Sequence, residues 1–364
     1  MASELYIGLM SGTSVDGVDA VLADFSVAPC RTRARRHVPF DDGLRAELNA
    51  LQQSGGDELH RAALAANALM DCCALAVAGV IVDADVQAPD VAAVGLHGQT
   101  LRHRPELQFT VQLANPARLA EACRIAVVAD FRSRDVAAGG QGAPLAPALH
   151  AALFRDAKKH RVVLNIGGIA NVTDLPPAGA VRGFDTGPGN TLLDAWCMRH
   201  KGHAFDRDGA WAATGRPIAA LLEALRADAY FALPPPKSTG RDRFNLPWLE
   251  ARLAASYAPA DVQRTLLALT AATIADAVAA YCAGAAEVLV CGGGAHNAGL
   301  LREIAARLGA RALATTAAYG VPVNDVEALA FAWLARETLA GRPGNLPAVT
   351  GARGSRVLGA VYPA

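Results

Sequence analysis

At 364 residues the chain exceeds the roughly 250–300 residues over which one hydrophobic core usually keeps growing, so two lobes with a cleft between them are expected. Hydrophobic residues make up 52% and charged residues 19%, which excludes the low-hydrophobicity regime of disordered chains. The 34 basic and 34 acidic side chains cancel, which excludes a global field for nucleic acid or an anionic membrane and leaves any phosphate to be recognised locally.

The N-terminus, Met-Ala-Ser-Glu-Leu, lacks the basic run of a signal peptide. The longest apolar stretch, Cys72 to Val82, is shorter than the roughly 20 residues of a membrane span, so no membrane partner and a cytoplasmic location are expected. Seven cysteines, an odd number without C-x-x-C spacing, argue against a disulfide framework or a zinc site.

In chain order, β-branched residues around small turn formers predict a strand at 4–10, a polar glycine-bearing turn at 11–17 and a second strand at 18–25. A helical stretch near 58–82 follows, then strands at 91–96, 108–113 and 125–129. At Arg161 the opening pattern recurs: an apolar strand to Ile166, Gly167-Gly168, a strand from Ile169 to Thr173 and another ending at Phe184-Asp185. Pro234-Pro235-Pro236 marks a rigid loop. A strand at 287–291 feeds Gly292-Gly293-Gly294, and a last helix, 325–340, carries an apolar stripe of Val326, Leu329, Ala330, Trp333 and Leu334. The fold class expected is α/β, duplicated, with a first lobe of residues 1–130 joined by 345–364 and a second lobe of 131–344.

Three segments join a strand to a small flexible turn: Gly8–Asp19, Phe184–Asn190 and Cys291–Asn297. Such turns let several backbone amides converge on one anion, and a helix after Gly187-Pro188-Gly189 would add the positive end of its dipole. Neither a P-loop sequence nor a dinucleotide-binding G-x-G-x-x-G after the first strand is present. Two duplicated lobes with phosphate-binding hairpins, an actin-like ATPase core of ribonuclease H-like type with a nucleotide cleft, fit what remains.

The segment Gly8-Leu9-Met10-Ser11-Gly12-Thr13-Ser14-Val15-Asp16-Gly17-Val18-Asp19 resembles the ATP-binding signature of the anhydro-N-acetylmuramic acid kinases. Matches continue through Gly98-Gln99-Thr100, Asp130-Phe131-Arg132 with Arg134-Asp135, Ala138 to Pro144, Asn165 to Asn171, Phe184 to Asn190, Gly292 to Gly294 and Val349 to Ala352. The resemblance implies an enzyme that takes 1,6-anhydro-N-acetylmuramic acid, ATP and water to N-acetylmuramic acid 6-phosphate and ADP in peptidoglycan recycling, with Mg²⁺ on the nucleotide and a homodimeric assembly. It implies Asp185 as the base that deprotonates water. ATP phosphates would meet Gly12, Thr13, Ser14, Val15, Asp16, Gly17, Val18 and Asp19, with Gly187, Gly189 and Asn190 on the second turn. Asp16 and Asp19 would hold Mg²⁺ through water, and Gly292, Gly293, Gly294 and Asn297 would take adenosine. Gln99, Arg132, Arg134, Asp135 and Glu327 would face the sugar.

Without the resemblance, Asp185 reads as a turn aspartate before glycine, and Arg132, Arg134 and Asp135 as a surface pair. Glu327, three residues after Asn324, reads as part of a capping box. Another actin-like small-molecule kinase would keep the phosphate turns, and a catalytically silent sugar-binding sensor would lack the carboxylates at 16, 19 and 185.

Overall fold

The computed structural model describes residues 3–12 and 14–364, so Thr13 lies outside the described residues. The chain forms two compact units, Met1–Leu153 with Gly320–Ala364, and Phe154–Tyr319.

The first unit is built on β1 (Leu5–Met10), β2 (Gly17–Asp24), β3 (Arg31–Pro39), β4 (Val91–Leu96), β7 (Val127–Ala129) and β13 (Ala360–Tyr362), in the spatial order β13-β7-β4-β1-β2-β3. β1, β2 and β3 form an antiparallel meander, β4 lies parallel beside β1 and β7 parallel beside β4. A separate ribbon pairs β5 (Gln99–Arg104) with β6 (Phe109–Leu113). The second unit repeats the plan with β8 (Arg161–Ile166), β9 (Ile169–Leu175), β10 (Arg182–Pro188), β11 (Glu287–Cys291) and β12 (Ala312–Thr315), ordered β10-β9-β8-β11-β12. Again three antiparallel strands are followed by two parallel ones on the far side of the first. This is the actin-like, ribonuclease H-like arrangement, present twice.

β1 is buried along its whole middle because helices cover both faces. On one side lies the helix Glu58–Asp83, through Leu69, Met70, Cys73, Val77 and Val80. Cys72–Val82, too short alone to span a membrane, is thus the second half of a 26-residue helix that is apolar and long enough to do so by length and composition. Its inner face lies in the core, while Leu64, Leu75 and Val82 are exposed. The helix Val326–Leu339 packs on β1 and β4 from the other side. Gly8 and Gly95 form the floor under it: a Cβ on Gly8 would collide with the Ala328 carbonyl, and one on Gly95 with the Phe331 carbonyl. In the second unit the helix Pro259–Tyr281 runs through the core, and Pro259–Tyr281 and Ala298–Leu308 pack together.

Three expectations change. Residues 131–153 and 320–344 belong to the first unit instead of the second, because the helix Val326–Leu339 lies on β1 and β4 and Asp135 bonds Asn345 and Thr350. The last helix is buried on more than one stripe, with Ala328, Phe331, Ala332 and Ala335 inside as well, while Trp333 is only half-buried. Its N-cap is Asp325, which puts Glu327 one position short of a capping box. All seven cysteines are free thiols, none of them exposed.

The glycine floor is testable. Gly95→Ala must push the overlying helix away, and it should cost about 1–3 kcal/mol in urea unfolding; a cost near zero would show that the helix can slide.

Candidate active site

In the first unit the tip between β1 and β2 is held from β5. Ser11 Oγ donates to Gln99 Oε1, and Gln99 Nε2 donates to the Gly12 carbonyl at 3.2 Å. Gln99 is 1% exposed, so its buried amide has to be paired, and it is paired to the hairpin. Gln99 thus staples the hairpin tip to β5. Beyond it, Ser14 Oγ donates to Asp16 Oδ1 at 2.6 Å. Val15 is buried with φ of 53°, a left-handed conformation that costs a β-branched residue energy and marks the tip as shaped for more than connection. Gly17 and Val18 open β2, and Gly17 passes under the His37 ring and the Val38 carbonyl, where no Cβ fits.

Asp16 and Asp19 are exposed carboxylates on this hairpin, Asp19 with His37 Nδ1 at 2.9 Å. Hard oxygens open to solvent suit a cation held through water. Among the described residues no group of three or more His, Cys, Asp or Glu is placed to hold a metal directly.

Arg132 reaches back to the same region. Its Nη2 lies 2.9 Å from His97 Nε2, and its Nη1 donates to the Gly142 carbonyl at 2.8 Å. Arginine can only donate, so His97 Nε2 accepts and Nδ1 carries the proton that it gives to the Ser11 carbonyl at 3.2 Å. Burial, then the Arg132 charge, push the imidazole down to about 3, so it is neutral. Burial also pushes the Arg132 guanidinium down to about 10, against the opposing pull of Glu327. A desolvated cation of this kind favours an anion beside it.

Asp135 joins the loop before Gly142 to the C-terminal segment. It is fully buried, Oδ1 accepting from Asn345 Nδ2 at 2.6 Å and Thr350 Oγ1 at 2.8 Å, and Oδ2 from the Gly142 amide at 2.8 Å. It holds the loop whose Gly142 carbonyl receives Arg132. Arg134 is exposed on the short helix Ser133–Ala137.

In the second unit three glycine turns, Gly167-Gly168, Gly187–Gly189 and Gly292–Gly294, meet at one end of the sheet. The amides of Gly189 and Asn190 donate to the carbonyls of Gly168 and Gly167, both at 2.9 Å, and Thr191 donates to Gly168 at 3.1 Å. Asn190 Nδ2 donates to the Ile166 carbonyl at 3.2 Å. The main-chain amides of Gly189 and Asn190 are thus engaged by the Gly167-Gly168 turn. Gly189 is glycine because the turn backbone lies against it, and Gly187, with φ of 145°, because Phe231 does. Gly292 and Gly294 pack under Ile166, Gly293 lies near Asn190, and Asn297 caps the helix Ala298–Leu308 by accepting from the Leu300 amide at 2.9 Å.

Asp185 sits where β10 breaks register against β9, between Asp185 and Gly187. The bulge turns the residue out of the regular ladder. Burial pushes its carboxyl up to about 6, opposed by the Thr239 amide, which donates to Oδ2 at 2.9 Å. A carboxylate so perturbed is poised to exchange a proton near neutrality.

The first unit thus carries a polar hairpin at its β1–β2 turn and a desolvated arginine, and the second carries a raised aspartate before a glycine turn. Residues 4–364 match the family model described as anhydro-N-acetylmuramic acid kinase. The chain belongs to this family. It is 58% identical over 98% of its length to the anhydro-N-acetylmuramic acid kinase of Cupriavidus pinatubonensis, covering 98% of that protein. It is 52% identical to the one from Nitrosospira multiformis with both chains fully covered. Against the one from Bordetella pertussis it is 58% identical over 99% of its own length and 96% of the relative's.

Sequence reasoning missed two features of this family member. Asp325, 2% exposed, has an Oδ2 without a hydrogen-bond partner. Burial pushes it up to about 6, Arg35 opposing and Asp19 adding to the rise. An aspartate at a helix start reads as a cap, and only packing shows that it caps nothing. The other is the segment after Asp228, whose only local signal was its prolines.

Removing the Asp135 carboxylate strands the Gly142 amide and leaves Asn345 Nδ2 and Thr350 Oγ1 only their longer bonds, to the Gly354 and Leu346 carbonyls at 3.3 and 3.4 Å. Asp135→Ala should lose about 3 kcal/mol in urea unfolding; a loss below about 1 kcal/mol would mean that water replaces it.

Proposed function

We propose that the chain opens 1,6-anhydro-N-acetylmuramic acid with water and phosphorylates O6 from ATP, giving N-acetylmuramic acid 6-phosphate and ADP for peptidoglycan recycling. The observation that carries the mechanism is Asp185, largely buried, lifted to about 6 and set beside a glycine turn. Family membership over residues 4–364 supports the substrate.

Asp185 takes a proton from water as the water oxygen bonds the anomeric carbon. The C1–O6 bond breaks, and the freed O6 takes the γ-phosphoryl group while ADP leaves. A positioned general base typically contributes about 10²–10⁴ in rate. Arg132 supplies the cation for the lactyl carboxylate, a role supported by its burial and by the neutral His97 that fixes its guanidinium. Arg134 and Glu327 complete the sugar side, and Glu327 also balances Arg132. The hairpin Gly12–Asp19 takes the ATP phosphates, and Gly292–Gly294 with Asn297 the adenosine. Asp16 and Asp19 would hold Mg²⁺ through water, an ion that neutralises phosphate charge when bound. The need for ATP argues for work in the cytoplasm, and the reading carries a homodimer, checked by light scattering at twice the chain mass.

In ¹⁸O-labelled water with ATP, Mg²⁺ and the anhydro sugar, label should appear at the anomeric oxygen of the phosphorylated product. Product that keeps the anhydro ring sinks the mechanism. Asp185→Asn should lose at least about 10²-fold in kcat with nucleotide binding kept. Turnover needs the ionised base, so kcat/KM should fall as pH drops through about 6.

The same shift sets a stability trend. Burial raises the folded-state value from 3.8 to about 6, so ionising Asp185 costs stability; the cost is complete above about 6 and absent below about 4. Asp185→Asn should therefore unfold at a higher temperature than the wild type at pH 8, and the gap should close in acid.

A further inference from the structure

β10 is the outer strand of its sheet, so the outer edge of Asp185 has no strand to pair with. A segment far along the chain occupies that edge. The Asp185 amide donates to the Lys237 carbonyl at 3.1 Å, and the Tyr230 hydroxyl donates to the Asp185 carbonyl at 2.9 Å. The Thr239 amide donates to Asp185 Oδ2 at 2.9 Å. Main-chain donor, main-chain acceptor and carboxylate of one residue are all held by residues 230–239. The segment is itself tied down. Lys237 Nζ donates to the carbonyls of Tyr230 and Phe231, both at 3.3 Å, which closes the loop on itself. Phe231 stacks on the fully buried Phe244 at 5.5 Å, and Tyr230 meets the same ring edge-on at 5.6 Å. Arg243 and the Trp248 indole both bond Asp228, at 2.6 and 2.8 Å, and fix the root. Gly187, two residues after Asp185, is the residue against which Phe231 packs.

We propose that residues 230–239 form a strap that orients Asp185, with Thr239 as the positioning residue for its carboxylate and Tyr230 for its main chain. The proposal rests on Asp185 as the base. A carboxylate on an exposed edge would sample several rotamers, and each would meet water in a different place. One amide on Oδ2 leaves Oδ1 as the oxygen that receives the proton, and two main-chain bonds keep the Cα from sliding along the bulge. Misplacement of a reacting group by about 1 Å can cost 10²-fold. The Thr239 hydroxyl, buried without a partner, lies on the same residue as this amide.

The charged and titratable groups around Asp185 are few. On the strap they are Lys237, which burial holds below its ordinary range, and Tyr230, whose hydroxyl burial and the Asp185 charge raise. Arg243 lies over the Tyr230 ring at 5.5 Å. Across the ladder on β9 stands the neutral Asn171. From the helix Pro259–Tyr281, packed on β10, Asp276 is already paired with Arg226. Among the described residues the Thr239 amide is thus the one neighbour that opposes the burial of the carboxylate directly.

Two variants separate the amide from the side chain. Thr239→Pro removes the N–H, and the acid limb of kcat/KM should move up by about one pH unit. Thr239→Ala keeps the N–H and should leave that limb at the wild-type pH. Tyr230→Phe should lower kcat by about tenfold with the limb unmoved. Coincident limbs in the proline and alanine variants would overturn the proposal. Should the proline variant not fold, the wild-type chain decides. With ¹⁵N-threonine labelling, the Thr239 amide resonance should titrate with a midpoint near 6, and the titration should vanish in Asp185→Asn. A Thr239 resonance that does not move with pH overturns the strap. Full turnover by Asp185→Asn would instead sink the base, and the amide titration reads the strap without any turnover.

Discussion

The first unit depends on how closely the helix Val326–Leu339 approaches its sheet. Backbone carbonyls of that helix lie where side chains of β1 and β4 would be, and Gly8 and Gly95 make the approach feasible. Dispersion energy falls off steeply with a gap of even half an ångström, so this floor fixes the helix in depth as well as direction. The C-terminal residues then follow from it. Asn345 and Thr350 reach Asp135, Asp135 holds Gly142, and the Gly142 carbonyl receives Arg132. A desolvated cation is thus positioned by a chain of contacts that begins with two missing methyl groups.

The two units solve the same topological problem with different polar fillings. In the first, the hairpin tip is supported by side chains: Gln99 on Ser11 and Gly12, His97 on Ser11. In the second, the tip Gly167-Gly168 is supported by main chain, through the amides of Gly189, Asn190 and Thr191. A turn braced from behind by side chains keeps its own amides free for an anion. A turn whose carbonyls cap a helix spends that helix's donors. One duplicated motif is therefore braced by side chains in one unit and by main chain in the other.

Much of this was legible in the sequence. Apolar strands flanking small residues gave away β1-β2, β8-β9 and β11, and the recurrence at Arg161 announced the duplication. β3 was not legible, because Arg31, Arg33, Arg35 and Arg36 bury no apolar face and only pairing with β2 makes a strand of them. The unit boundaries were misplaced for a related reason: an apolar helix does not state which sheet it will cover. Gln99 and Asp135 show the limit at the site itself. A polar residue in a matching motif can touch the ligand or brace the residue that does, and only burial and partner geometry separate the two. Of residues 230–239 only the prolines stood out, because the segment's contacts to Asp185 use mostly main-chain atoms, which leave no trace in residue type.

β10 is a free sheet edge, with Asp185 on it, and free edges of this kind are where one molecule adds to another strand by strand. The segment 230–239 occupies the donor and the acceptor that such a strand would need. Residues chosen to place a carboxylate thus also guard the solubility of the unit, so loosening them would expose the chain to self-association before any loss of fold. The same few hydrogen bonds hold the carboxylate and cover the sheet edge.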